Sequence, residues 1–208
     1  MNKTLLFPIF VFDFQWADYN KHKLSLINHC YDLEKTPTEV APGAKRNLFE
    51  SKFNFLDADN DSVRALADFC YSSLWEVAVD MNQHAWGDNF VKSLIIHESW
   101  CHITDSGGYH DVHRHPGASW CGIFYLEPGE SNKETKNGVN RFYNDVINLH
   151  ADEGTKYIES YFDTEPTPGK LLIFPAHMAH SALAYIGESP RIVVAFNAQV
   201  NAESVKPG

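Results

Sequence analysis

The fold of this chain is decided by one apolar stretch in its second half, Ser119-Trp120-Cys121-Gly122-Ile123-Phe124-Tyr125-Leu126. The stretch is short and rich in aromatic residues, and turn-forming residues lie on both sides of it, with Pro116 before and Pro128 after. Such a segment is typical of a β-strand, because aromatic side chains pack well on a pleated surface and proline interrupts it. We therefore predict a strand over Ser119–Leu126.

Six further runs of the same kind lie on either side of this strand, between residues 90 and 200. They are Val91–Asp105, Tyr109–His115, Val139–Tyr143, Lys170–Pro175, His180–Ala184 and Arg191–Asn197. Seven short strands within roughly 110 residues predict a β-sandwich or barrel and not a parallel α/β sheet. Two polar inserts separate them: Glu127–Gly138 is predicted to be a mobile loop, and Tyr143–Gly169 a lid.

The first half of the chain has a helical pattern. Apolar residues recur at helical spacing in a segment that begins near Ala17 and, more regularly, in Asp61–Asn82. Either Asp61 or Asn60 is a suitable N-cap for the second helix. The polar stretch Thr36–Asn54 is predicted to be a surface loop.

The opening residues Leu5–Phe12 are apolar, but Pro8 interrupts them and no small-residue cleavage site follows. They therefore predict a strand and not a signal peptide. We expect a mainly β fold with N-terminal helices, arranged as a single domain over residues 1–208. In this domain a helical part (1–89) backs a β core (90–200).

Composition narrows the class of protein. A hydrophobic fraction of 44% and a charged fraction of 21% are typical of a globular chain. Seventeen basic against 27 acidic residues give a net charge of −10 without a basic cluster, which disfavours nucleic-acid binding. No apolar run has membrane length. The four cysteines stand far apart, as expected for reduced thiols of a cytoplasmic protein.

A group of histidines marks the predicted strand Tyr109–His115. Side chains alternate between the two faces of a strand, so Asp111, His113 and His115 are predicted on one face. His110 is predicted on the other face and is thereby removed from the expected ligands. Two imidazoles on one face can converge on a single ion, because neutral ring nitrogens bind divalent metals.

A third metal ligand is expected from the segment that follows the apolar run Leu171–Pro175. His180 opens the next predicted strand and can face the pair His113 and His115, while His177, nearer the turn, is the fallback. The other histidines outside these segments are expected to be ordinary core or surface residues: His22, His29, His84, His97, His102 and His150.

Arg191 opens the last predicted strand, Arg191–Asn197, which is otherwise apolar. A cation that enters an apolar strand is costly unless its head group is paired. The partner could be a structural carboxylate of the protein. It could also be the distal carboxylate of a bound acid, which a guanidinium holds with two parallel hydrogen bonds.

These elements together resemble the iron(II)/2-oxoglutarate-dependent dioxygenase superfamily, and within it a bacterial and phage group with a His-x-His-Pro element. The resemblance covers roughly residues 90–200 well and the first half loosely. It rests on six matching stretches and residues: Glu98-Ser99-Trp100, Gly107–Pro116, Ser119–Leu126, Pro168–Pro175, His180 and Arg191–Asn197. A weaker similarity lies at Asn47–Glu50.

The resemblance implies a double-stranded β-helix (jelly-roll) core with Fe(II) held by His113, His115 and His180. It implies that 2-oxoglutarate chelates the iron while Arg191 holds its far carboxylate, with Tyr125 lining or backing the same pocket. It further implies oxidation of a substrate C–H bond, usually hydroxylation, with conversion of 2-oxoglutarate to succinate and CO2.

The chain departs from the superfamily at one point, because the usual His-x-Asp element is replaced by His113-Arg114-His115. Either His115 takes the place of the carboxylate and the site has three histidines, or Asp111 supplies the carboxylate beside His113 and His180. We favour the first alternative, because the narrower group shares the His-x-His-Pro element in register.

Two other functions remain open at the level of sequence. One is a cupin-like metal dioxygenase that uses three histidines without 2-oxoglutarate, a chemistry that needs no Arg191 clamp. The other is a non-catalytic jelly-roll binding module. For the enzyme, the expected partner is a small-molecule or peptide substrate, with no nucleic acid and no membrane. The oligomeric state stays open, and a homodimer is one of its alternatives.

Overall fold

The computed structural model describes residues 9–35, 47–86, 90–144 and 159–204, without the side chains of residues 90, 91 and 204. These ranges contain two α-helices, α1 (Tyr19–Glu34) and α2 (Asp61–Asn82), and a short 3-10 helix at Phe55–Asp57. They also contain ten strands: β1 (Phe12–Gln15), β2 (Leu48–Glu50), β3 (Phe90–Thr104), β4 (His110–His113), β5 (Trp120–Glu127), β6 (Asn140–Tyr143), β7 (Tyr161–Asp163), β8 (Lys170–Pro175), β9 (His180–Ala182) and β10 (Arg191–Ser204).

The strands form two antiparallel sheets. The large sheet has the order β1-β8-β5-β10-β3-β2, and the small sheet has the order β4-β9-β6-β7. Neighbours in both sheets are often distant in the sequence, which is typical of a sandwich and not of a simple meander. The predicted mainly β fold with N-terminal helices is confirmed.

The alternation of β5 explains how the layers pack. Its residues Phe124 and Leu126 belong to the core that the large sheet shares with α1 and α2. Ile123 and Tyr125 belong to a second core between the two sheets. Because successive side chains of a strand point to opposite faces, one apolar run serves both cores. The cavity described below opens in the second core.

Helix α2 has the bounds that the sequence predicts. The side chain of Asn60 accepts hydrogen bonds from the backbone N–H groups of Ser62 (2.8 Å) and Val63 (3.3 Å). Asn60 is therefore the N-cap, and Asp61 is the first residue of the helix. Neither helix of the described ranges combines the length and the apolar character that crossing a bilayer requires.

The first half is less purely helical than predicted, because it contributes two strands to the large sheet. The predicted loop Thr36–Asn54 contains β2, which pairs with β3, and its residues 36–46 lie outside the described ranges. The predicted strand Leu5–Phe12 is displaced: the observed strand is β1, paired with β8, and residues 5–8 are not described. Both strands are short edge strands whose pairing partners lie far away in sequence, so local pattern carries little of their signal.

Three predictions in the second half need correction. The strand predicted at Tyr109–His115 covers only His110–His113, and its pairing with β9 is irregular between these two residues. The last strand continues past Asn197 to Ser204 through a similar irregularity between Asn197 and Ala198. The predicted lid Tyr143–Gly169 contains β7, and its residues 145–158 are not described.

Candidate metal centre

The pairing of β4 with β9 brings together two predicted ligands from distant parts of the sequence. His113 and His180 are direct partners in this antiparallel pair, so their side chains share one face. Their ring centroids are 4.2 Å apart. His115 follows just beyond the end of β4, and its ring lies 4.9 Å from that of His113 and 5.2 Å from that of His180.

The three imidazoles can serve one metal ion. One ligand nitrogen from each of His113, His115 and His180 lies within 4.8 Å of the other two. Metal–nitrogen bonds of about 2.0–2.1 Å fit a common point between nitrogens at such separations. The donor set is therefore compatible with a mononuclear transition-metal site.

Backbone carbonyls orient two of the rings. The Nδ1 atoms of His113 and His180 lie 2.7 Å and 3.0 Å from the carbonyl oxygens of Asp111 and Met178, respectively. A carbonyl oxygen only accepts, so each Nδ1 carries the hydrogen and donates it. Each Nε2 then has its lone pair directed to the cluster, and this is the tautomer that metal-binding histidines use.

Burial keeps His180 in the neutral form that a metal needs. The ring is 4% exposed, and its burial, with the neighbouring His113, lowers its pKa to about 3. A cationic imidazole in this position would lack hydration and would repel the other rings. The side chain is therefore neutral throughout the physiological pH range.

Two sequence alternatives for the ligand set lie outside the cluster. Asp111 is exposed, and its carboxylate is not among the described donors that converge with His113. Its backbone carbonyl instead orients the ring of His113. His177 is also exposed, and it is not among the described donors that converge or among the residues that line the cavity. Of the groupings considered from the sequence, the three-histidine grouping is the one that is close in space.

The predicted position of His110 on the opposite face was wrong. Between the pairs His110–Ala182 and His113–His180, three steps along β4 oppose two steps along β9. Such an irregularity cancels the strict alternation of faces. The ring of His110 consequently lies 4.1 Å from that of His113, on the cavity side.

The other end of the same cavity is formed by Arg191, at the start of β10. Its side chain is 2% exposed, and Nη2 donates to Oδ1 of Asn140 at 2.7 Å. Within the described ranges its Nε has no hydrogen-bond partner and its guanidinium forms no ion pair with a carboxylate. Burial lowers the pKa of Arg191 from its ordinary value. The structure therefore presents a buried cation whose Nε donor is not satisfied.

Asn140 is a residue of this end that the sequence analysis missed. Its Oδ1 accepts from both Arg191 and the Tyr125 hydroxyl, the latter at 2.9 Å. The Tyr125 hydroxyl also contacts Oγ1 of Thr164 at 2.7 Å, and burial raises the pKa of Tyr125, so the hydroxyl keeps its proton. Tyr125 is fully buried and lies just behind the residues that line the cavity.

The walls between the two ends are mostly apolar. They include Ile123, Phe174 and Val193 from the inner face of the large sheet. Cys121 also lines the cavity; its thiol donates to Oδ1 of Asn197, and burial raises its pKa. The thiol is therefore protonated and is not a thiolate ligand.

Two further cavity residues were not expected from the sequence. His102, predicted to be an ordinary histidine, lines the cavity, and its Nε2 lies 2.6 Å from Oε2 of Glu50. Trp100 lines it too, and its indole Nε1 is a buried donor without a partner among the described residues. With the Arg191 Nε this makes two unsatisfied donors at the cavity, which favours an anionic or acceptor-rich ligand.

Residues 98–197 match the model of a family described as "Putative 2OG-Fe(II) oxygenase". This segment contains the three clustered histidines and Arg191. A search of the curated proteins found no significant match.

Solved structures share the fold over nearly the whole chain. The non-heme alpha-ketoglutarate-dependent epimerase SnoN from nogalamycin biosynthesis is 11% identical, with a TM-score of 0.65 over 95% of this chain and 80% of SnoN. HygX from Streptomyces hygroscopicus, with nickel and 2-oxoglutarate bound, is 13% identical, with a TM-score of 0.57 over 92% of this chain and 83% of HygX.

A third similar structure is a prolyl hydroxylase from Trichoplax adhaerens in complex with a peptide fragment of a hypoxia-inducible factor. It is 12% identical, with a TM-score of 0.55 over 90% of this chain and 83% of that protein. Identities this low show the fold alone, which is the double-stranded β-helix. The family match over residues 98–197, just under half of the chain, together with this fold makes the chain similar to the 2OG-Fe(II) oxygenases, enzymes that use Fe(II) and 2-oxoglutarate.

Proposed function

We propose that this oxygenase hydroxylates a C–H bond of its substrate, with one oxygen atom of O2 entering the product. The other oxygen atom enters succinate, which forms from 2-oxoglutarate with release of CO2. The observation that carries the proposal is Arg191, a buried cation without a described carboxylate partner, in the same cavity as three convergent histidines.

In this proposal His113, His115 and His180 hold the metal. The donor set fits Fe(II), because neutral imidazoles bind this ion and the open side of the cluster faces the cavity. Bound there, Fe(II) supplies the redox chemistry that couples oxidative decarboxylation of 2-oxoglutarate to oxidation of the substrate. The protein contributes position, orientation and a dry, apolar surrounding.

At the opposite end, Arg191 holds the far carboxylate of 2-oxoglutarate. The carboxylate satisfies the Nε donor that no described residue satisfies, and it compensates the buried charge. Asn140 fixes one side of the guanidinium, and the Tyr125 hydroxyl stabilises Asn140. We propose that Tyr125 contributes to co-substrate binding by supporting this end of the pocket.

The cavity walls favour a short, chelating keto acid over a large ligand. The apolar side chains of Ile123, Phe174 and Val193 cover the middle of the cavity, where a two-carbon linker would lie. They exclude water from the space between the two polar ends. A ligand with an acidic group at each end would satisfy the histidine-bound metal and Arg191 together.

The primary substrate is proposed to be a small molecule or a peptide. The similar structures include an epimerase from nogalamycin biosynthesis and a prolyl hydroxylase with a bound peptide. We also propose that residues 1–208 act as one domain, because α1 and α2 share a core with the large sheet.

A reducing, cytoplasmic location suits the four buried free thiols.

A metal dioxygenase that does without 2-oxoglutarate is the competing function. That chemistry leaves Arg191 without a role, and a buried unpaired guanidinium is costly to maintain. An Arg191 side chain turned away from the cavity, or paired with a protein carboxylate, would have favoured this alternative. The position of Arg191 in the cavity wall favours the 2-oxoglutarate enzyme.

An anaerobic titration tests the proposal. Fe(II) and excess 2-oxoglutarate, added to the metal-free chain, should give a weak visible charge-transfer band that succinate in place of 2-oxoglutarate does not give. Admission of oxygen should then bleach the band and release succinate from 2-oxoglutarate. A chain that carries Fe(II), verified by metal analysis, but gives no band would contradict the 2-oxoglutarate function.

A further inference from the structure

We propose that Glu50, His102 and His110 form a second metal site, which binds a divalent transition ion such as Zn²⁺. The site opens into the same cavity as the three-histidine cluster, but it uses none of the same residues. It does not depend on the proposed reaction, because it follows from a separate set of donors.

The fold brings the three residues together from two sheets. Glu50 and His102 are direct partners in the antiparallel pair of β2 and β3, so their side chains lie side by side on one face. This pair is the edge of the large sheet, and β4 is the edge of the small sheet. His110, the first residue of β4, completes the group from the opposite side of the cavity.

The donor atoms converge as a metal site requires. One ligand atom from each residue lies within 4.8 Å of the other two. Nε2 of His102 is 2.6 Å from Oε2 of Glu50, and the rings of His102 and His110 are 5.5 Å apart. The Nδ1 of His110 donates to the carbonyl of Asp111 at 3.1 Å, so its Nε2 carries the lone pair. Two imidazoles and one carboxylate are a donor set that zinc, iron and manganese use.

A hydrogen-bonded Glu–His pair alone is an ordinary structural contact, and two features go beyond it here. The third donor comes from the other sheet, where it adds nothing to the pairing of β2 with β3. His102 and His110 both line the cavity, so an ion has a path to the site. Glu50 is only 9% exposed, and a bound cation would compensate the desolvation of its carboxylate.

Metal binding requires only a small adjustment of the pair. The ion replaces the proton between Glu50 and His102. Tetrahedral ligands at about 2.1 Å from zinc are roughly 3.4 Å apart, so the 2.6 Å contact would open by less than 1 Å. Rotation of the two side chains can provide this change without moving β2 or β3.

The two sites are neighbours, since the rings of His110 and His113 are 4.1 Å apart. Two divalent ions in one cavity repel each other, and the negative charge of Glu50 offsets part of this repulsion. The three-histidine cluster is neutral, so Glu50 gives the second site the stronger electrostatic attraction for a cation. Both sites are expected to fill at modest free Zn²⁺ concentration.

The test is the number of Zn²⁺ ions that the full chain retains after metal loading and desalting, measured by elemental analysis. Wild type should retain two equivalents. Glu50→Gln, which keeps the shape and a hydrogen bond to His102, should retain one, and so should His180→Ala. The double variant should retain none. His97→Ala removes an exposed histidine from the same strand as His102 and should still retain two.

His110→Ala provides a second test that leaves the Glu50–His102 pair intact, and it should also retain one equivalent. Thermal unfolding of each metal-free variant checks that the fold survives. A wild-type count of one that Glu50→Gln does not lower would overturn the second site and leave the three-histidine site standing. A count that falls in Glu50→Gln but not in His180→Ala would support the second site and contradict the three-histidine site. Two equivalents that persist in Glu50→Gln and His110→Ala would place the second ion elsewhere and overturn the inference.

Discussion

The two ends of the cavity differ in how they are built. The histidine end lies at the edge of the small sheet, where the irregular strand β4 carries His113, and His115 follows just beyond its end; both side chains are partly exposed. The arginine end lies on β10, between β5 and β3 in the large sheet, and Arg191 is 2% exposed. One end can exchange its ligands with solvent, and the other is enclosed.

This difference matches the demands that we propose for the two ends. A metal, dioxygen and a substrate must all reach the histidine end, so part of it has to be open. The arginine end receives one carboxylate of constant size, and burial strengthens that interaction because water does not compete for it. Removing a side chain from either end should therefore separate metal binding from co-substrate binding.

The largest effect is expected when the histidine end loses a ligand. His180→Ala should weaken Fe(II) binding by more than the roughly 100-fold that loss of an outer hydrogen-bond partner costs, because a direct ligand is gone. The measurement is an anaerobic Fe(II) titration at saturating 2-oxoglutarate, followed by the visible band. The band reports on this site alone.

His177→Ala is the matched control for this change, since it removes an exposed histidine three residues away. It should leave the Fe(II) titration unchanged within twofold. Equal losses in the two variants would mean that the metal is not held where the three rings converge.

The next effect concerns the arginine end alone. Arg191→Met keeps much of the side-chain volume but removes the charge, and it should weaken 2-oxoglutarate binding by roughly 10- to 100-fold, since hydrogen bonds to charged groups contribute about 1.5–3 kcal/mol. Metal retention should not change. Calorimetric titration of 2-oxoglutarate into the metal-loaded chain measures the affinity for the co-substrate. The metal content is measured separately.

Arg191→Lys sharpens the same comparison, because it keeps the charge but loses the planar pair of donors. Its affinity for 2-oxoglutarate should lie between the affinities of wild type and of Arg191→Met. If both variants bind 2-oxoglutarate as tightly as wild type, the buried guanidinium serves the fold and not the co-substrate.

The sequence predicts most of the histidine end, because each of the two segments that carry its histidines shows a strand-like pattern of its own. His113 and His180 lie on strands that were predicted from apolar runs and turn residues, and both strands exist. The same reasoning misplaced His110, because the rule of alternating faces holds only in a regular ladder. The irregularity comes from the pairing of β4 with β9, and the sequence of β4 does not show it.

The partners that support the two ends could not be predicted from local pattern. Asn140 reaches Arg191 across 51 residues, and Glu50 reaches His102 across 52. Each contact depends on which strands lie next to or opposite each other in the sheets. A single buried polar residue on a short strand carries little signal of that arrangement. The strand β2 was missed for the same reason, since its three residues gain their structure from β3.

The smallest effect is expected behind the arginine end. Tyr125→Phe removes the hydroxyl that contacts Asn140 and Thr164, so Oδ1 of Asn140 loses one of its two donors. A neutral hydrogen bond contributes about 1 kcal/mol, which corresponds to roughly fivefold weaker 2-oxoglutarate binding with unchanged metal retention. Tyr143→Phe is the matched control, because its hydroxyl contacts Ser181 on the small sheet. If Tyr125→Phe weakens 2-oxoglutarate binding as much as Arg191→Met does, the hydroxyl binds the co-substrate directly. If it has no effect, Arg191 is held in place without Tyr125.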